Sequence, residues 1–328
     1  MDAALYPLIF EPIYRNYLWG GRRIPRLFGR ELPRGIYAES WEIADRPEAM
    51  SRVANGPLIG MTLRELRRRY GSRLIGRAGV EGPFPLIFKI LDAAQRTSLQ
   101  VHPGEAHAVQ IGGEPKTEFW YALPGMSEQH LFIGLRPGTV PALFEEALRQ
   151  KRVERLLRVV PVQAGDAFFI PGGRIHAVDA GCLFFEIQQN SDTTYRVFDW
   201  DRLDEHGRCR PLHIEEALQV IEWDDCEDPR VTPERIDRAD GNVWRLLKAC
   251  KHFRIERLDL LRDTTLNSDG RSFRVVFVAA GRLVAEGGGE RLPLRSGMTC
   301  LLPATLESCR LLPEGRRKPP AELLLIEL

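Results

Sequence analysis

One segment near the middle of the chain decides the fold, and from Gly165 to His176 it reads GDAFFIPGGRIH. The glycines and the proline are residues of tight turns, and the apolar run between them has the composition of a short buried strand. The segment ends on an imidazole, a side chain that binds divalent metals. It therefore predicts a strand and a tight turn that deliver one metal ligand, His176.

Three further residues are candidates to complete a metal site. Gln100 and His102 lie two residues apart, and on a strand such residues point to the same face while Val101 packs away from it. Glu118 is expected to approach from another strand. Two imidazoles, one carboxylate and one amide oxygen suit Zn²⁺ or a similar divalent ion, with room left for a substrate. The sequence predicts that Gln100, His102, Glu118 and His176 bind one metal inside a small β-barrel.

The spacing of these residues resembles the two signatures of the cupin superfamily. The segment ending at His176 follows the second signature, G-x5-P-x-G-x2-H, and Gln-x-His with a later Glu resembles the first, His-x-His with a later Glu. Gln100 stands where most cupins carry His, and this departure resembles the class I mannose-6-phosphate isomerases, which read Ser-x-Gln-x-His-Pro here. The resemblance implies a metal-dependent isomerase of mannose 6-phosphate and fructose 6-phosphate, with Zn²⁺ as the expected cofactor and other divalent metals as alternatives.

Further stretches resemble the short bacterial form of that family in order and spacing. They are 17–21 (YLWGG), 40–45 (SWEIAD), 88–93 (FKILDA), 98–103 (SLQVHP), 116–118 (KTE) and 186–196 (EIQQNSDTTYR). The resemblance runs from the N-terminus past Arg202 and continues more weakly to the end. The expected fold class is mainly β, a cupin (jelly-roll β-barrel) with helical insertions.

The composition restricts partners and location. The 328 residues carry a formal net charge of +1 with Lys and Arg spread along the chain, which argues against a nucleic-acid partner. No apolar run approaches the ~20 residues that cross a bilayer and no signal peptide is apparent, so we expect a cytoplasmic protein without a membrane partner. Six cysteines without regular spacing argue against a disulfide scaffold or a thiolate zinc site. A monomer and a homodimer both remain open.

Short apolar runs broken by Gly and Pro favour a β-sandwich or barrel over alternating strands and helices. Three helical regions interrupt this pattern. Thr62 begins a helix with a capping box, Val140–Val160 has the pattern of one or two amphipathic helices, and Pro211–Trp223 that of another. These helices are expected to decorate a barrel.

A weak internal repeat predicts a second, metal-free cupin-like lobe. The segment from Gly297 to Pro303 repeats the G-x5-P spacing, but Ser308 stands at the place that corresponds to His176. We expect a catalytic cupin domain with helical insertions over residues 1–240 and a degenerate cupin-like β domain over 241–328. The polar, Pro-interrupted stretch 224–241 is typical of a linker.

Isomerising an aldose phosphate also requires a cationic site for the phosphate. The resemblance implies Lys89, Ser98, Lys116 and Arg196 for this role, with Arg202 as a further candidate. Arg supplies a bidentate fork for phosphate oxygens, whereas Lys supplies a compact charge. Lys89 lies among apolar neighbours, where an ammonium is costly unless it faces a polar cavity.

The proton-transfer group has two candidates, which stay open on the sequence. Lys116 lies next to the predicted ligand Glu118, and nearby positive charge and burial would depress its pKa. Glu186 ends an apolar run, where a carboxylate facing a barrel interior is costly unless it is paired or takes part in the reaction. Glu42 is a lesser candidate, for orienting a sugar hydroxyl or holding the N-terminal segment.

Two other functions compete with the isomerase. Two His and one carboxylate also suit Fe(II) in a cupin oxygenase, but such an enzyme needs no phosphate site. A non-catalytic sugar-phosphate-binding cupin would keep the pocket without turnover, yet the predicted ligands and both base candidates are present and no DNA-binding region is apparent. The isomerase, with a small sugar phosphate as its partner, is therefore the leading hypothesis.

Overall fold

The computed structural model describes residues 4–79, 81–126, 128–204, 206–315 and 320–328. Strands dominate these ranges, which confirms the mainly β fold class. In chain order they are β1 (Ile13–Arg15), β2 (Glu39–Ile43), β3 (Asp45–Arg46), β4 (Ala49–Met50), β5 (Leu86–Ala93), β6 (Leu99–Val101), β7 (Glu118–Ala122), β8 (Gln129–Leu135), β9 (Leu157–Val162), β10 (Ala167–Ile170), β11 (His176–Val178), β12 (Cys182–Gln189), β13 (Tyr195–Phe198), β14 (Glu234–Ile236), β15 (Val243–Ala249), β16 (Arg254–Leu260), β17 (Thr264–Asn267), β18 (Arg274–Gly287), β19 (Glu290–Arg295), β20 (Thr299–Leu302), β21 (Ser308–Glu314) and β22 (Ala321–Glu327).

The helices are short and lie between strand groups. They are α1 (Arg23–Phe28), α2 (Leu63–Tyr70), α3 (Ser72–Ile75), α4 (Glu105–Ile111), α5 (Pro141–Arg149) and α6 (Ile214–Val220), with 3₁₀ turns at Gly56–Leu58 and Val153–Leu156. The Thr62 capping box is present, with Thr62 and Glu65 each accepting the other's backbone N–H. No helix in the described ranges is long and apolar enough to span a membrane.

Two helix predictions were too long. Val140–Val160 was expected to contain one or two amphipathic helices; α5 and a 3₁₀ turn occupy its first part, but β9 begins at Leu157 and pairs with β8. Pro211–Trp223 was expected to form one helix, but α6 covers Ile214–Val220 only. In the first segment the apolar run from Leu157 is a strand, and in the second the helix ends where Ile221 becomes extended. Short apolar runs do not distinguish helix from extended chain.

Two antiparallel sheets form the first barrel. One has the strand order β1-β2-β5-β12-β7-β10, and the other has the order β13-β6-β11-β8-β9. Strand β11 in the second sheet lies between β6 and β8. The segment that decides the fold therefore contributes β10 to one sheet and β11 to the other, and its turn joins them.

The second lobe is a nine-stranded sheet system from β14 to β22 built around the long strand β18. The residues between β18 and β19 form a hairpin turn in which Gly288 and Gly289 have positive φ. Strand β14 lies inside the stretch predicted to be a linker and pairs with β15. The proposed domain boundary at residue 240 stays a prediction.

Alternation along the central strands of the first barrel separates two environments. Phe88, Ile90, Phe185 and Ile187 belong to a core that also contains Phe273, Val275, Phe277 and Ile326 from the second lobe. The rings of Phe185 and Phe277 stack with centroids 3.6 Å apart. Because successive strand residues point to opposite faces, Lys89, Glu186 and Gln188 face the barrel interior. The lobe contact therefore fixes which residues enter the site.

Candidate active site

The predicted ligands come from strands that the fold brings together. Gln100 on β6 lies directly opposite His176 on β11. Glu118 begins β7 and lies opposite Gln188 on β12 in the other sheet. His102 follows β6 directly. The site thus lies between the two sheets of the first barrel.

The turn before His176 contains Gly172 and Gly173, and these glycines allow the turn to pack against the end of β6 at His102. A Cβ on Gly172 would come within 2.5 Å of Gly104 Cα and 2.7 Å of Pro103 O. Gly173 has φ +92°, a conformation that side chains rarely adopt, and its N–H donates to His102 O at 2.7 Å. The pairing of this turn with the His-Pro-Gly segment sets the spacing of the two histidines.

The three charged or imidazole ligands converge closely. Ligand atoms of His102, Glu118 and His176 all lie within 4.8 Å of one another, and each residue is about 1% exposed. Glu118 Oε1 lies 3.2 Å from His102 Nε2, and Glu118 Oε2 lies 3.7 Å from His176 Nε2. The Gln100 amide lies 3.2 Å from His176 Nε2. The arrangement brings together all four residues that the sequence predicted.

Several of these buried atoms lack a hydrogen-bond partner in the described chain. They are His102 Nε2 and both carboxylate oxygens of Glu118, of which Oε1 forms an ion pair with Lys116. A buried polar atom without a partner costs free energy, typically ~1–3 kcal/mol. A divalent cation at this point would supply the missing partner for His102 Nε2 and Glu118 Oε2, so the donor set fits a metal ion.

The protonation states also suit metal binding. Burial, with help from the nearby Lys116 ammonium, lowers the pKa of His102 to about 3. Burial also lowers the pKa of His176. Burial alone would raise the pKa of Glu118, but Lys116 and the imidazoles hold it well below its usual range. Near pH 7 the site therefore presents two neutral imidazoles and one carboxylate.

Backbone carbonyls orient both imidazoles through Nδ1, the ring nitrogen that does not face Glu118. His102 Nδ1 lies 2.9 Å from Thr193 O, and His176 Nδ1 lies 2.9 Å from Arg174 O. A carbonyl only accepts hydrogen bonds, so each Nδ1 carries the proton and each Nε2 presents its lone pair to the site.

A pocket of about 300 Å³ opens beside these ligands. It is lined by residues from seven strands of the first barrel and from the loops around them. The lining residues are Tyr17, Trp19, Glu39, Trp41, Lys89, Leu91, Thr97, Ser98, Gln100, Lys116, Glu118, Trp120, Val178, Glu186, Asp192, Thr194, Arg196 and Arg210. The lining includes the two predicted ligands Gln100 and Glu118, and the other two, His102 and His176, lie against Glu118. It also includes Lys89, Ser98, Lys116, Glu186 and Arg196.

A row of four side chains crosses one wall of the pocket on adjacent strands. In register order the row is Trp41, Lys89, Glu186 and Trp120. The Lys89 ammonium lies 4.4 Å from the centre of the Trp41 ring and 3.3 Å from Glu186 Oε2. Trp120 Nε1 donates to Glu186 Oε1 at 2.9 Å, and its ring contacts His176 edge-on at 5.2 Å. The row links the base candidate Glu186 to the ligand cluster.

The two base candidates have different electrostatic surroundings. Burial and the Glu118 carboxylate raise the pKa of Glu186 to about 7, and Lys89 opposes this rise. Lys116 Nζ lies 2.9 Å from Glu118 Oε1 in a buried ion pair. A group with a pKa near 7 is suited to take and return a proton at neutral pH.

Two arginines reach the pocket from the segment after β12. Arg196 lies on β13, and its Nε has no partner among the described residues. Arg210, which the sequence did not single out, is held by Asp199 through two hydrogen bonds of 2.6 and 2.7 Å. The predicted candidate Arg202 does not line the pocket, and its guanidinium binds Asp199 and Arg96 O. Arg210 takes the place expected for Arg202.

Of the remaining predicted candidates, Ser98 belongs to the pocket and Glu42 does not. Ser98 lines the pocket, and its Oγ lies 3.5 Å from Gln100 Oε1. Glu42 holds the N-terminal segment instead, because Arg30 binds both of its oxygens at 2.9 and 3.1 Å. Sequence reasoning missed Glu39, which lies 3.9 Å from Lys89 Nζ and accepts from Trp41 Nε1. Its position two residues before Trp41, and so on the same side of the chain, was an available signal.

Comparison with known proteins yields consistent similarities. Residues 8–122 match a family model described as phosphomannose isomerase type I, catalytic domain. The chain is 34% identical to the mannose-6-phosphate isomerase of Streptococcus mutans over 92% of its own length and 94% of that protein. It is 33% identical to mannose-6-phosphate isomerase ManA of Bacillus subtilis, over 93% and 95%. The crystal structure of the mannose 6-phosphate isomerase from Bacillus subtilis superposes with a TM-score of 0.87 at 30% identity, covering 98% of this chain and 99% of that one.

Proposed function

The chain belongs to the type I phosphomannose isomerase family, and we propose on that premise that its pocket interconverts D-mannose 6-phosphate and D-fructose 6-phosphate. One observation carries the proposal. A buried cluster of His102, Glu118 and His176, with unpartnered ligand atoms, lies in the same pocket as a carboxyl of raised pKa and two arginines. Family membership does not favour the iron oxygenase or the non-catalytic alternative.

We propose that His102, Glu118, His176 and Gln100 hold one Zn²⁺. The ligand set of two imidazoles, one carboxylate and one amide suits zinc. When bound, the metal polarises the sugar carbonyl and stabilises negative charge on its oxygen. Thr193 O and Arg174 O keep the two imidazoles in the tautomer that presents Nε2.

Glu186 is the proposed general base. Its carboxylate removes the proton from C2 of mannose 6-phosphate, which leaves an enediolate with its negative charge on O1. The proton of the O2 hydroxyl passes to O1, and the protonated Glu186 then returns its proton to C1 as O2 becomes the ketone oxygen of fructose 6-phosphate. A pKa raised to about 7 places Glu186 between its two protonation states near neutral pH. Trp120 Nε1 orients the carboxylate for both steps.

Lys116 is proposed to keep the ligand Glu118 ionised, through the contact of 2.9 Å between Lys116 Nζ and Glu118 Oε1. The alternative in which Lys116 is the base requires a neutral amine. The Lys116 Nζ is instead engaged in the contact with Glu118 Oε1. The ion pair between Lys116 and Glu118 therefore favours Glu186 as the group that transfers the proton. Lys116 is proposed to stabilise the charge of Glu118 and to contact the substrate.

Arg196, Arg210 and Ser98 are proposed to bind the phosphate. The Arg196 Nε without a partner and the anchored fork of Arg210 supply donors for phosphate oxygens. The sequence also predicted Lys89 for this role. Because the Lys89 ammonium already faces Glu186 at 3.3 Å and Glu39 at 3.9 Å, we propose that it holds Glu186 in place.

The two predicted domains are proposed to have different roles, catalysis in one and structural support in the other. All residues that line the pocket fall between Tyr17 and Arg210, inside the predicted catalytic domain 1–240. The lobe 241–328 would then support the catalytic sheet through the apolar contact at Phe185 and Phe277.

Incubation of the purified protein with fructose 6-phosphate tests the function directly. Formation of mannose 6-phosphate is followed before chelation, after chelation and after addition of Zn²⁺, with bound metal measured in each sample. We expect turnover that disappears on chelation and returns with zinc at one ion per chain. Bound metal without turnover would contradict the isomerase, and full turnover after complete removal of metal would contradict the metal site.

A further inference from the structure

A surface ion pair lies beside the loop that orients the metal ligand His102. Arg46, in β3, contacts both carboxylate oxygens of Glu114 at 2.8 and 2.9 Å. Glu114 lies in the segment between α4 and β7, two residues before Lys116. The Arg46 side chain is 17% exposed and that of Glu114 is 48% exposed. Pairs of this exposure usually contribute only ~0–1 kcal/mol to stability.

Glu114 is nevertheless bonded on several sides to one short segment, residues 190–193. Its carboxylate accepts from the backbone N–H of Asp192 at 3.1 Å. Its own N–H donates to Thr193 Oγ1 at 3.0 Å, and its carbonyl accepts from Ser191 Oγ at 3.1 Å. Arg46 adds a hydrogen bond to Asn190 O at 3.3 Å. Both the side chain and the backbone of Glu114 thus fix this segment.

The segment ends at the carbonyl that orients a proposed metal ligand. Thr193 O lies 2.9 Å from His102 Nδ1, while the other ring nitrogen of His102 faces Glu118. On the other side of Glu114, the Lys116 N–H donates to Pro103 O at 3.0 Å. Glu114 therefore lies where the chain segments of His102, Lys116 and Thr193 meet.

We propose that Arg46 and Glu114 are positioning residues for the metal centre, and that they act by fixing Thr193 O against His102. The proposal rests on the proposed role of His102 as a metal ligand. Groups that hydrogen-bond to a ligating imidazole fix its tautomer and its orientation, and their loss typically lowers metal affinity ~10–100-fold. Arg46 and Glu114 do not contact the imidazole themselves; they hold the segment that carries Thr193 O, the carbonyl that makes this hydrogen bond. Its loss lowers zinc affinity about tenfold, at the lower end of that range.

Zinc affinity, measured by competition with a chelator of known zinc affinity, tests the proposal. Glu114→Ala and Arg46→Ala are each expected to bind zinc about tenfold more weakly than the unchanged protein, and the double variant no more weakly than either single variant, because the two side chains act as one unit. Affinities within twofold of the unchanged protein would overturn the proposal. So would losses that multiply in the double variant.

Glu154→Gln is the matched control. Glu154 pairs with Arg96 at 2.9 Å and is also 48% exposed, but its described side-chain partner is Arg96 and not the segment 190–193. We expect it to keep full zinc affinity. The thermal midpoints of the metal-free Glu114 and Glu154 variants should agree within a few degrees, which separates positioning from general loss of stability. A drop in zinc affinity that only follows a drop in midpoint would count against positioning.

A His102→Ala variant distinguishes failure of the proposed metal site from failure of the proposed positioning role. If it binds zinc as tightly as the unchanged protein, the proposed metal site itself is wrong. If it loses zinc while Glu114→Ala keeps it, the metal site stands and the positioning role is wrong. Should Glu114→Ala fail to fold, Glu114→Gln keeps the length of the side chain, and the same twofold limit applies to it.

Discussion

The two lobes contain the same turn-and-strand unit with different chemistry. In the first lobe Gly165 precedes β10, Pro171 follows it, and His176 begins β11; in the second lobe Gly297 precedes β20, Pro303 follows it, and Ser308 begins β21. Both leading glycines have positive φ, +92° and +81°. The strand bounds keep the same offset from the glycine. The backbone unit therefore forms equally well with and without a metal ligand.

The side chains around each unit account for the difference. His176 is 1% exposed and faces a wall that carries Lys89, Glu118 and Glu186, whereas Ser308 is exposed. The interior of the second lobe is an apolar cluster of Leu, Val, Ala, Cys and Trp side chains. Buried charges are costly unless they are paired or take part in function. The repeated unit has the same backbone in both lobes, and the side chains on the facing strands determine whether a polar site forms beside it.

His176→Ser copies the second lobe into the first and should have the largest effect. The loss of an outer partner alone costs ~10–100-fold in metal affinity, so loss of a direct ligand should exceed ~100-fold and reduce turnover to that of the chelated protein. Zinc titration and the isomerase assay measure both. His107→Ser is the matched control, because His107 lies on α4 outside the ligand cluster. A His176→Ser protein with full metal content and rate would contradict the comparison.

Glu186→Gln should come next, because it leaves the metal ligands intact and removes the proposed base. We expect kcat to fall by ~10²–10⁴, the usual contribution of a general base, with zinc content unchanged. Lys116→Met provides the comparison and should lower zinc affinity as well, since it removes the cation beside Glu118. If Lys116→Met lost turnover with full zinc content while Glu186→Gln stayed active, the roles of the two residues would be reversed.

The raised pKa of Glu186 also predicts how stability depends on pH in the metal-free protein. The folded-state pKa is about 7, above the ordinary value of 4.5. Below about pH 4.5 the carboxyl is protonated in both states. Between these values the unfolded chain loses its proton first, so the stability contributed by Glu186 falls as pH rises through about 7. The thermal midpoint of Glu186→Gln relative to the unchanged protein should therefore rise from pH 5 to pH 8. A flat difference would contradict this.

The sequence predicted the frame and the ligand cluster because both depend on local spacing. The turn before His176 and the alternation of Gln100 with His102 can be read along the chain. The row Trp41, Lys89, Glu186 and Trp120 cannot, because it forms across four strands that are distant in sequence. The exchange of Arg202 for Arg210 has a similar cause. Asp199 binds both guanidiniums, and only the tertiary path of the chain decides which one reaches the pocket.

Arg210→Ala should have a smaller effect, confined to recognition of the phosphate. A charge-assisted hydrogen bond contributes ~1.5–3 kcal/mol, so KM for fructose 6-phosphate should rise ~10–100-fold while zinc affinity stays constant. Arg208→Ala is the matched control, since Arg208 is 71% exposed and pairs with Asp204. An unchanged KM in Arg210→Ala would remove Arg210 from the phosphate site.

Ser308→His, the reverse of the first substitution, should have the smallest effect. It restores the imidazole to the repeated unit, but the interior of that lobe offers apolar side chains where the first barrel has Glu118 and its neighbours. Among the described residues the cluster of three possible metal ligands lies in the first barrel, so one imidazole at Ser308 lacks the further ligands of a tetrahedral zinc site. Zinc stoichiometry should stay at one per chain, and the free energy of unfolding should change by less than ~0.5 kcal/mol, as for most surface substitutions. A second tightly bound zinc ion would mean that the unit alone makes the site, and that the surrounding strands matter less than the two lobes suggest.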